Sequence, residues 1–338
     1  MAVLPLVNVE VDAGAWNTQP FGTFWFVSTP IILDCDPGID DALAIAFATA
    51  SPEIDLVGIT TVAGNVGLPK TTANALAVAS FVGAKNVPVT PGSPVPLLRP
   101  ALDAGHVHGD SGLGGAVLPA PDRTAEDGHA IDFIIDTFGA APGEITLVAT
   151  GPLTNIGLAL RRDPRLATWV RDFVIMGGSA SRGNVNHAAE YNIWADPEAA
   201  AIVFSAGWTV RMIGLDVTLR ARATAAVQER MRSLGSLGAQ LLLPALAQYR
   251  DADDTTGEPP VHDVCAVVSI ADPAAFSYTP ARVQVETHGI FTSGMTVTDF
   301  SRSADHNTQV ATAIDAERFW TTVLGAYGTL PVARAQVR

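Results

Sequence analysis

Four carboxylates fall within Asp34-Cys35-Asp36-Pro37-Gly38-Ile39-Asp40-Asp41, two on each side of a Pro-Gly pair. One or two aspartates in a turn can cap backbone N–H groups. A third and a fourth add repulsion without satisfying further donors, and that repulsion calls for a cation. Oxygen donors with no Cys or His cluster beside them suit a hard ion such as Ca²⁺ or Mg²⁺ rather than zinc. The spacing lacks the alternating ligands and distant glutamate of an EF-hand loop.

Something must hold these groups in place. Pro30 to Leu33 is a short apolar run that predicts a buried strand, and Ala42 to Ala48 predicts a buried helix, so the acidic cluster sits on a strand-to-helix turn. Asp40 and Asp41 then fall near the first helical turn, where the helix dipole favours negative charge. Further strands are predicted at Ile54–Val62, Val87–Val89, Glu144–Ala149, Asp172–Met176 and Val210–Leu215. Helices are predicted at Thr71–Val82, Ala130–Phe138, Pro197–Ser205, Val264–Ile270 and Asp315–Leu324, with a broken helical stretch from Ala223 to Arg250. The alternation points to an α/β fold with a mostly parallel, doubly wound, Rossmann-like sheet. Arg282–Glu286 and Gly294–Thr298 read as an antiparallel pair at its margin. In such sheets ligands bind past the carboxyl ends of the strands. Polar groups recur there, at Gly64-Asn65, at Thr150 to Asn155 and at Gly183 to Asn192. The glycine-rich stretch Gly105 to Gly115 has the character of a binding loop or lid but no phosphate-loop ending.

The chain has 338 residues, enough for one large domain, and no linker divides it. A net charge of −14 argues against nucleic-acid polymers and anionic membranes as partners. No run of about eighteen apolar residues offers a membrane span. Cys35 and Cys265 are too few for a disulfide framework and read as packed, reduced thiols of a cytoplasmic protein. Residues 1–29, with no Lys or Arg and with Trp16, Phe21, Phe24, Trp25 and Phe26, read as an extension ahead of a catalytic domain at 30–338.

From about Pro30 to Ala326 the chain resembles the inosine-uridine-preferring nucleoside hydrolase family. The acidic signature carries the resemblance, joined in order by Gly64-Asn65, His106-Val107-His108-Gly109, Thr150-Gly151-Pro152-Leu153-Thr154-Asn155, Glu190-Tyr191-Asn192 and Val261-His262-Asp263. The resemblance implies a Ca²⁺ ion held by Asp36, Asp41, Asp263 and the Thr150 carbonyl, with Asp36 as general base and Asp34 behind the ligands, orienting them. It implies that Asp40, Asn65, Asn184, Glu190 and Asn192 bind ribose hydroxyls, that His108 faces the substrate, and that His262 assists departure of the base. His106 and His187 read as structural or solvent-exposed. Tyr249 and Arg250 precede the His-Asp pair and leave the choice of base open.

The implied activity is hydrolysis of ribonucleosides by a homo-oligomer, dimer or tetramer. Two rival readings stand beside it. A metal-dependent phosphatase of the haloacid dehalogenase type also carries Asp-x-Asp after a strand, although Pro37 and Gly38 depart from its usual continuation. The other rival is a catalytically silent nucleoside- or ribose-binding protein on the same scaffold, against which the complete set of carboxylates speaks.

Overall fold

The apolar run at Pro30 forms the middle of β1 (Thr29–Cys35). Side chains alternate faces along a strand. Ile31, Leu33 and Cys35 accordingly enter one buried cluster, and Ile32 enters the other. A strand apolar on both faces needs cover on both, which helices supply. The computed structural model describes residues 28–249, 257–303 and 305–334. The aromatic residues expected in the N-terminal arm, Arg250 and most of the acidic loop after it lie outside the described residues.

The sheet continues with β2 (Ile54–Thr61), β3 (Val89–Pro91), β4 (Thr146–Ala149), β5 (Asp172–Met176), β6 (Val210–Ile213), β7 (Phe276–Val285), β8 (Thr296–Asp299) and β9 (Thr308–Ile314). Their spatial order is β3-β2-β1-β4-β5-β6-β9-β7-β8. All pairings from β3 through β9 are parallel, while β7 runs antiparallel to β9 and β8 antiparallel to β7. The chain winds outward from β1 through β2 to β3, then restarts at β4 and winds the other way. That reversal opens a crevice at the carboxyl ends of β1 and β4. The register pairs Asp34 with Ala149, so Asp36 and Thr150 emerge side by side at its floor.

Helices α1 (Ile39–Ala50), α2 (Leu68–Val82), α3 (Ala130–Ala140), α4 (Thr154–Arg162), α5 (Tyr191–Ala195), α6 (Pro197–Phe204), α7 (Leu215–Thr218), α8 (Asp263–Ala271) and α9 (Ala316–Tyr327) complete the frame. Residues of α1, α2, α8 and α9 build one core layer, and those of α3, α4 and α6 the other. The start of α6 follows its sequence signal, with the Asp196 side chain accepting from Ala199 N at 3.0 Å and Pro197 in the first turn. The predicted marginal pair is present, Arg282 facing Asp299 and Val285 facing Thr296. Elements that go beyond the sequence reading include α4, which follows the Thr150 turn, the short helices α5 and α7, and β9, which slots between β6 and β7. The glycine-rich loop also holds one helical turn, Gly105–His108. No helix among the described residues is long and apolar enough to cross a membrane.

Candidate active site

The turn after β1 delivers Asp36, and the first turn of α1 delivers Asp40 and Asp41. Asn65, from the turn after β2, holds them together. Its backbone N–H donates to Asp36 Oδ2 at 2.6 Å, and its side-chain Nδ2 donates to the Asp36 carbonyl at 3.2 Å and to Asp41 Oδ2 at 3.1 Å. Gly38 N also donates to Asp41 Oδ2, at 3.0 Å. Thr150, leaving β4, gives its hydroxyl to Asp41 Oδ1 at 2.9 Å and its N–H to the Asp34 carbonyl at 2.8 Å. Asp263 enters from the start of α8, and oxygens of Asp40, Asp41 and Asp263 lie within 4.8 Å of one another. The close approach depends on Gly64 and Gly151. A Cβ on Gly64 would collide with Asp36 Oδ2, and one on Gly151 would come within 2.7 Å of Asp36 Oδ1.

These groups sit in an environment that resists their ionisation. Burial first, then the charge of Asp41, lifts Asp36 well above the usual carboxylate range and Asp40 to about 7. Burial first, then the charge of Asp40, raises Asp263 strongly, and burial raises Asp41. Asp34 also rises to about 7 through burial, against the opposing hydrogen bonds of Asn155 and Thr60. Asp36 Oδ1 and Asp34 Oδ2 are buried and have no hydrogen-bond partner among the described residues. Several carboxylates crowded together, with an orphaned oxygen and oxygen-only donors, fit a hard cation. Asp41 and Asp263, two of the four expected ligands, belong to this close group with Asp40 as its third member, and Asp36 and Thr150 are tied to Asp41 through Asn65 and the Thr150 hydroxyl.

Above the carboxylates lies a cavity of about 410 Å³. Its lining includes the expected Asp40, Asn65, His108, Thr150, Asn184, Glu190, Asn192, His262 and Asp263. Asn192 donates from Nδ2 to the Thr150 carbonyl at 2.7 Å and to the Met176 carbonyl at 3.1 Å. Glu190 caps α5, accepting from Asn192 N at 2.9 Å, and reaches Gly178 N at 2.8 Å. Burial still carries its carboxyl to about 7. Asn184 lies on the exposed side, its Oδ1 accepting from Tyr191 N at 2.9 Å. His108 accepts from Ile39 N at 3.1 Å through Nδ1, and burial followed by the neighbouring imidazoles holds it down at about 3, a neutral ring. The Asp34 carboxylate accepts from the Thr60 hydroxyl at 2.6 Å and from Asn155 Nδ2 at 2.8 Å. Its side chain thus braces β1 against β2 and α4.

Of the two histidines read as structural or exposed, His187 is exposed, and His106 is exposed as well but also lines the cavity. Sequence reasoning gave no role to Tyr191, Trp194 or Met176, which complete the wall. The Tyr191 hydroxyl donates to the Gly64 carbonyl at 2.7 Å, tying the loop of Glu190 to that of Asn65. Its place between two singled-out residues was the available signal. Tyr249 stands edge-on to His108, ring centroids 5.9 Å apart, and 6.2 Å from His262.

Fold and site together define a doubly wound α/β protein with an acidic, oxygen-only crevice at its switch point, opening into a cavity of small-molecule size. A family model described as inosine-uridine preferring nucleoside hydrolase matches residues 31–321, and the chain belongs to that family of hydrolases acting on N-glycosyl compounds. It is similar to the inosine-uridine preferring nucleoside hydrolase of Leishmania major, 46% identical over 304 residues that span 88% of this chain and 96% of that protein. The non-specific ribonucleoside hydrolase RihC of Escherichia coli is 45% identical over 292 residues, 86% of this chain and 95% of that one. Among solved structures, a purine-preferring ribonucleoside hydrolase from Gardnerella vaginalis superposes with a TM-score of 0.84 at 36% identity, covering 90% of this chain and 99% of that one.

Proposed function

We propose that this protein hydrolyses the N-glycosidic bond of ribonucleosides, releasing ribose and a free base. The lining of the cavity carries the reading. It brings together Asp40, Asp263, Asn65 and Asn192, which can bond to hydroxyl groups, with His108, Trp194, Met176, Tyr249 and His262, which suit a flat heterocycle. Neither Lys nor Arg is among the described residues that line it, which disfavours a dianionic phosphate ester as substrate.

In this reading Asp36, Asp41, Asp263 and the Thr150 carbonyl would hold Ca²⁺. The bound cation would supply positive charge that offsets the crowded carboxylates and makes an adjacent water more acidic. Asp36 takes the proton of the attacking water, its buried, unpartnered Oδ1 being the open acceptor. Asp40 binds the 2′-hydroxyl of the ribose, and Asn65, Asn184, Glu190 and Asn192 bind its remaining hydroxyls. These bonds orient the sugar and strengthen as its ring approaches an oxocarbenium-like state. The electron pair of the breaking bond goes to the base, and His262 gives that nitrogen-bearing leaving group a proton. Asp34 keeps Thr150 in position through its backbone carbonyl.

Residues 30–338 act as the catalytic unit in this reading, and the protein works as a cytoplasmic homo-oligomer with Cys35 and Cys265 reduced. Both thiols are buried. The deciding experiment incubates purified protein with ribonucleosides, deoxyribonucleosides and nucleotides and assays reducing sugar and phosphate separately. Sugar release from ribonucleosides is expected. Phosphate release without sugar would sink the reading in favour of a phosphatase, and tight nucleoside binding with no product would favour a silent binder.

A further inference from the structure

We infer that Thr218 is the positioning residue for the His262 imidazole. This rests on the reading of His262 as the group that protonates the departing base. Thr218 ends α7, the single helical turn that follows β6, and its side chain is fully buried. Its neighbours Leu215, Val217, Ala221 and Ala223 are core residues, so the hydroxyl stands in apolar surroundings and needs a partner. It has one in His262 Nδ1, 2.7 Å away.

The backbone builds this contact in. Val261 N donates to the Ala221 carbonyl at 3.0 Å, Ala223 N donates to the Pro259 carbonyl at 2.9 Å, and Arg222 and Pro260 form an antiparallel bridge. The segment that carries His262 is thereby laced to the segment that carries Thr218. Two consequences follow for the ring. Engaging Nδ1 restrains the imidazole plane, and in this reading Nε2 is the atom that delivers the proton. The Thr218 hydroxyl oxygen can also accept from an Nδ1–H, so the ring can hand on the Nε2 proton and still keep its anchor. Second-layer partners of this kind fix the tautomer and orientation of functional histidines.

The test compares a natural nucleoside, whose base leaves poorly, with p-nitrophenyl riboside, whose nitrophenolate leaves without a proton. Thr218→Val removes the hydroxyl and keeps the volume, and Thr218→Ser keeps the hydroxyl. Thr218→Ala serves if the valine variant does not fold. With unchanged melting temperature, Thr218→Val is expected to lower kcat on the nucleoside about tenfold, the order of one well-placed hydrogen bond. It is expected to spare the nitrophenyl substrate to within about twofold, and Thr218→Ser is expected to restore the nucleoside rate. Equal losses on both substrates would overturn the inference, because Thr218 would then be supporting the fold or the ribose site. So would no loss on either substrate when His262→Ala is selectively slow on the nucleoside, a result that leaves the His262 reading standing. If His262→Ala itself slows both substrates equally, the His262 reading fails and the inference falls with it.

Discussion

Asp40→Asn keeps the side-chain volume and removes one charge from a buried triplet, so it tests whether the site is strained without a cation. Burial, then the charge of Asp41, raises the Asp40 carboxyl from its ordinary 3.8 to about 7. A raised folded-state pKa means that the native protein holds the proton more tightly than the unfolded chain. Asp40 is therefore harmless below about pH 4, and stability drains away as pH rises from there through 7. A rise of about three pH units at about 1.4 kcal/mol each gives roughly 4 kcal/mol of penalty at pH 8. Coulomb's law agrees in scale. Two unit charges at the 4.8 Å limit of this group repel by about 3.5 kcal/mol at an effective dielectric of about 20. In chelator at pH 8 the asparagine variant should therefore melt above the wild type by about 5 °C or more, while at pH 4.5 the two curves should nearly coincide. Saturating Ca²⁺ should then stabilise the wild type more than the variant, since a ligand that binds only the native state adds stability by mass action. Differential scanning calorimetry at the two pH values, with chelator and with Ca²⁺, measures all of this. A variant that melts at or below the wild type in chelator at pH 8, or a gap indifferent to pH, refutes the reasoning.

Asp36→Asn should fold normally and lose roughly 10²–10⁴-fold in kcat, because the amide cannot take the proton of water; retained turnover in steady-state assays would assign that proton to another group. 2′-Deoxyribonucleosides should be rejected by as much as about 10⁴-fold in kcat/KM, since Asp40 would be left facing a missing hydroxyl; comparable values for uridine and deoxyuridine would contradict the ribose pose. Gly64→Ala should destabilise by about 1–3 kcal/mol and depress turnover, its Cβ meeting Asp36 Oδ2 and coming within 2.8 Å of Pro152 Cδ. Denaturant melts and kcat measured together check this, and a neutral effect on both would mean that the turn yields easily.

The acidic turn was legible because strand, turn and helix signals are local, and because four carboxylates in one turn have few structural uses. The parallel sheet was legible for a similar reason: β1, β4 and β5 are apolar runs between breakers. β9 was not. In Thr308–Ile314, Thr and Gln dilute the apolar pattern, and the strand is held by its neighbours, parallel to β6 on one side and antiparallel to β7 on the other. Asn155 looked like the end of a loop motif, yet it belongs to α4 and turns inward to Asp34, Ser93 N and the Thr61 carbonyl. Thr218 gave no signal at all. A threonine after an apolar strand is ordinary in sequence, and only the lacing of 221–223 to 259–261 brings it to His262.

The position of β9 bears on how the molecule is made. The last of the nine described strands in sequence occupies an interior slot, so β6 and β7 each keep an unpaired edge until residues 308–314 have been synthesised. Helix α9 packs against α1, with the Tyr327 hydroxyl donating to the Leu43 carbonyl at 2.9 Å, across 284 positions of sequence. Contacts of such long range form slowly, and unpaired apolar edges are templates for aggregation. On a translating ribosome the nascent chain therefore carries two open edges until residue 314 has emerged, and a stop codon ahead of Thr308 should yield inclusion bodies rather than a smaller enzyme.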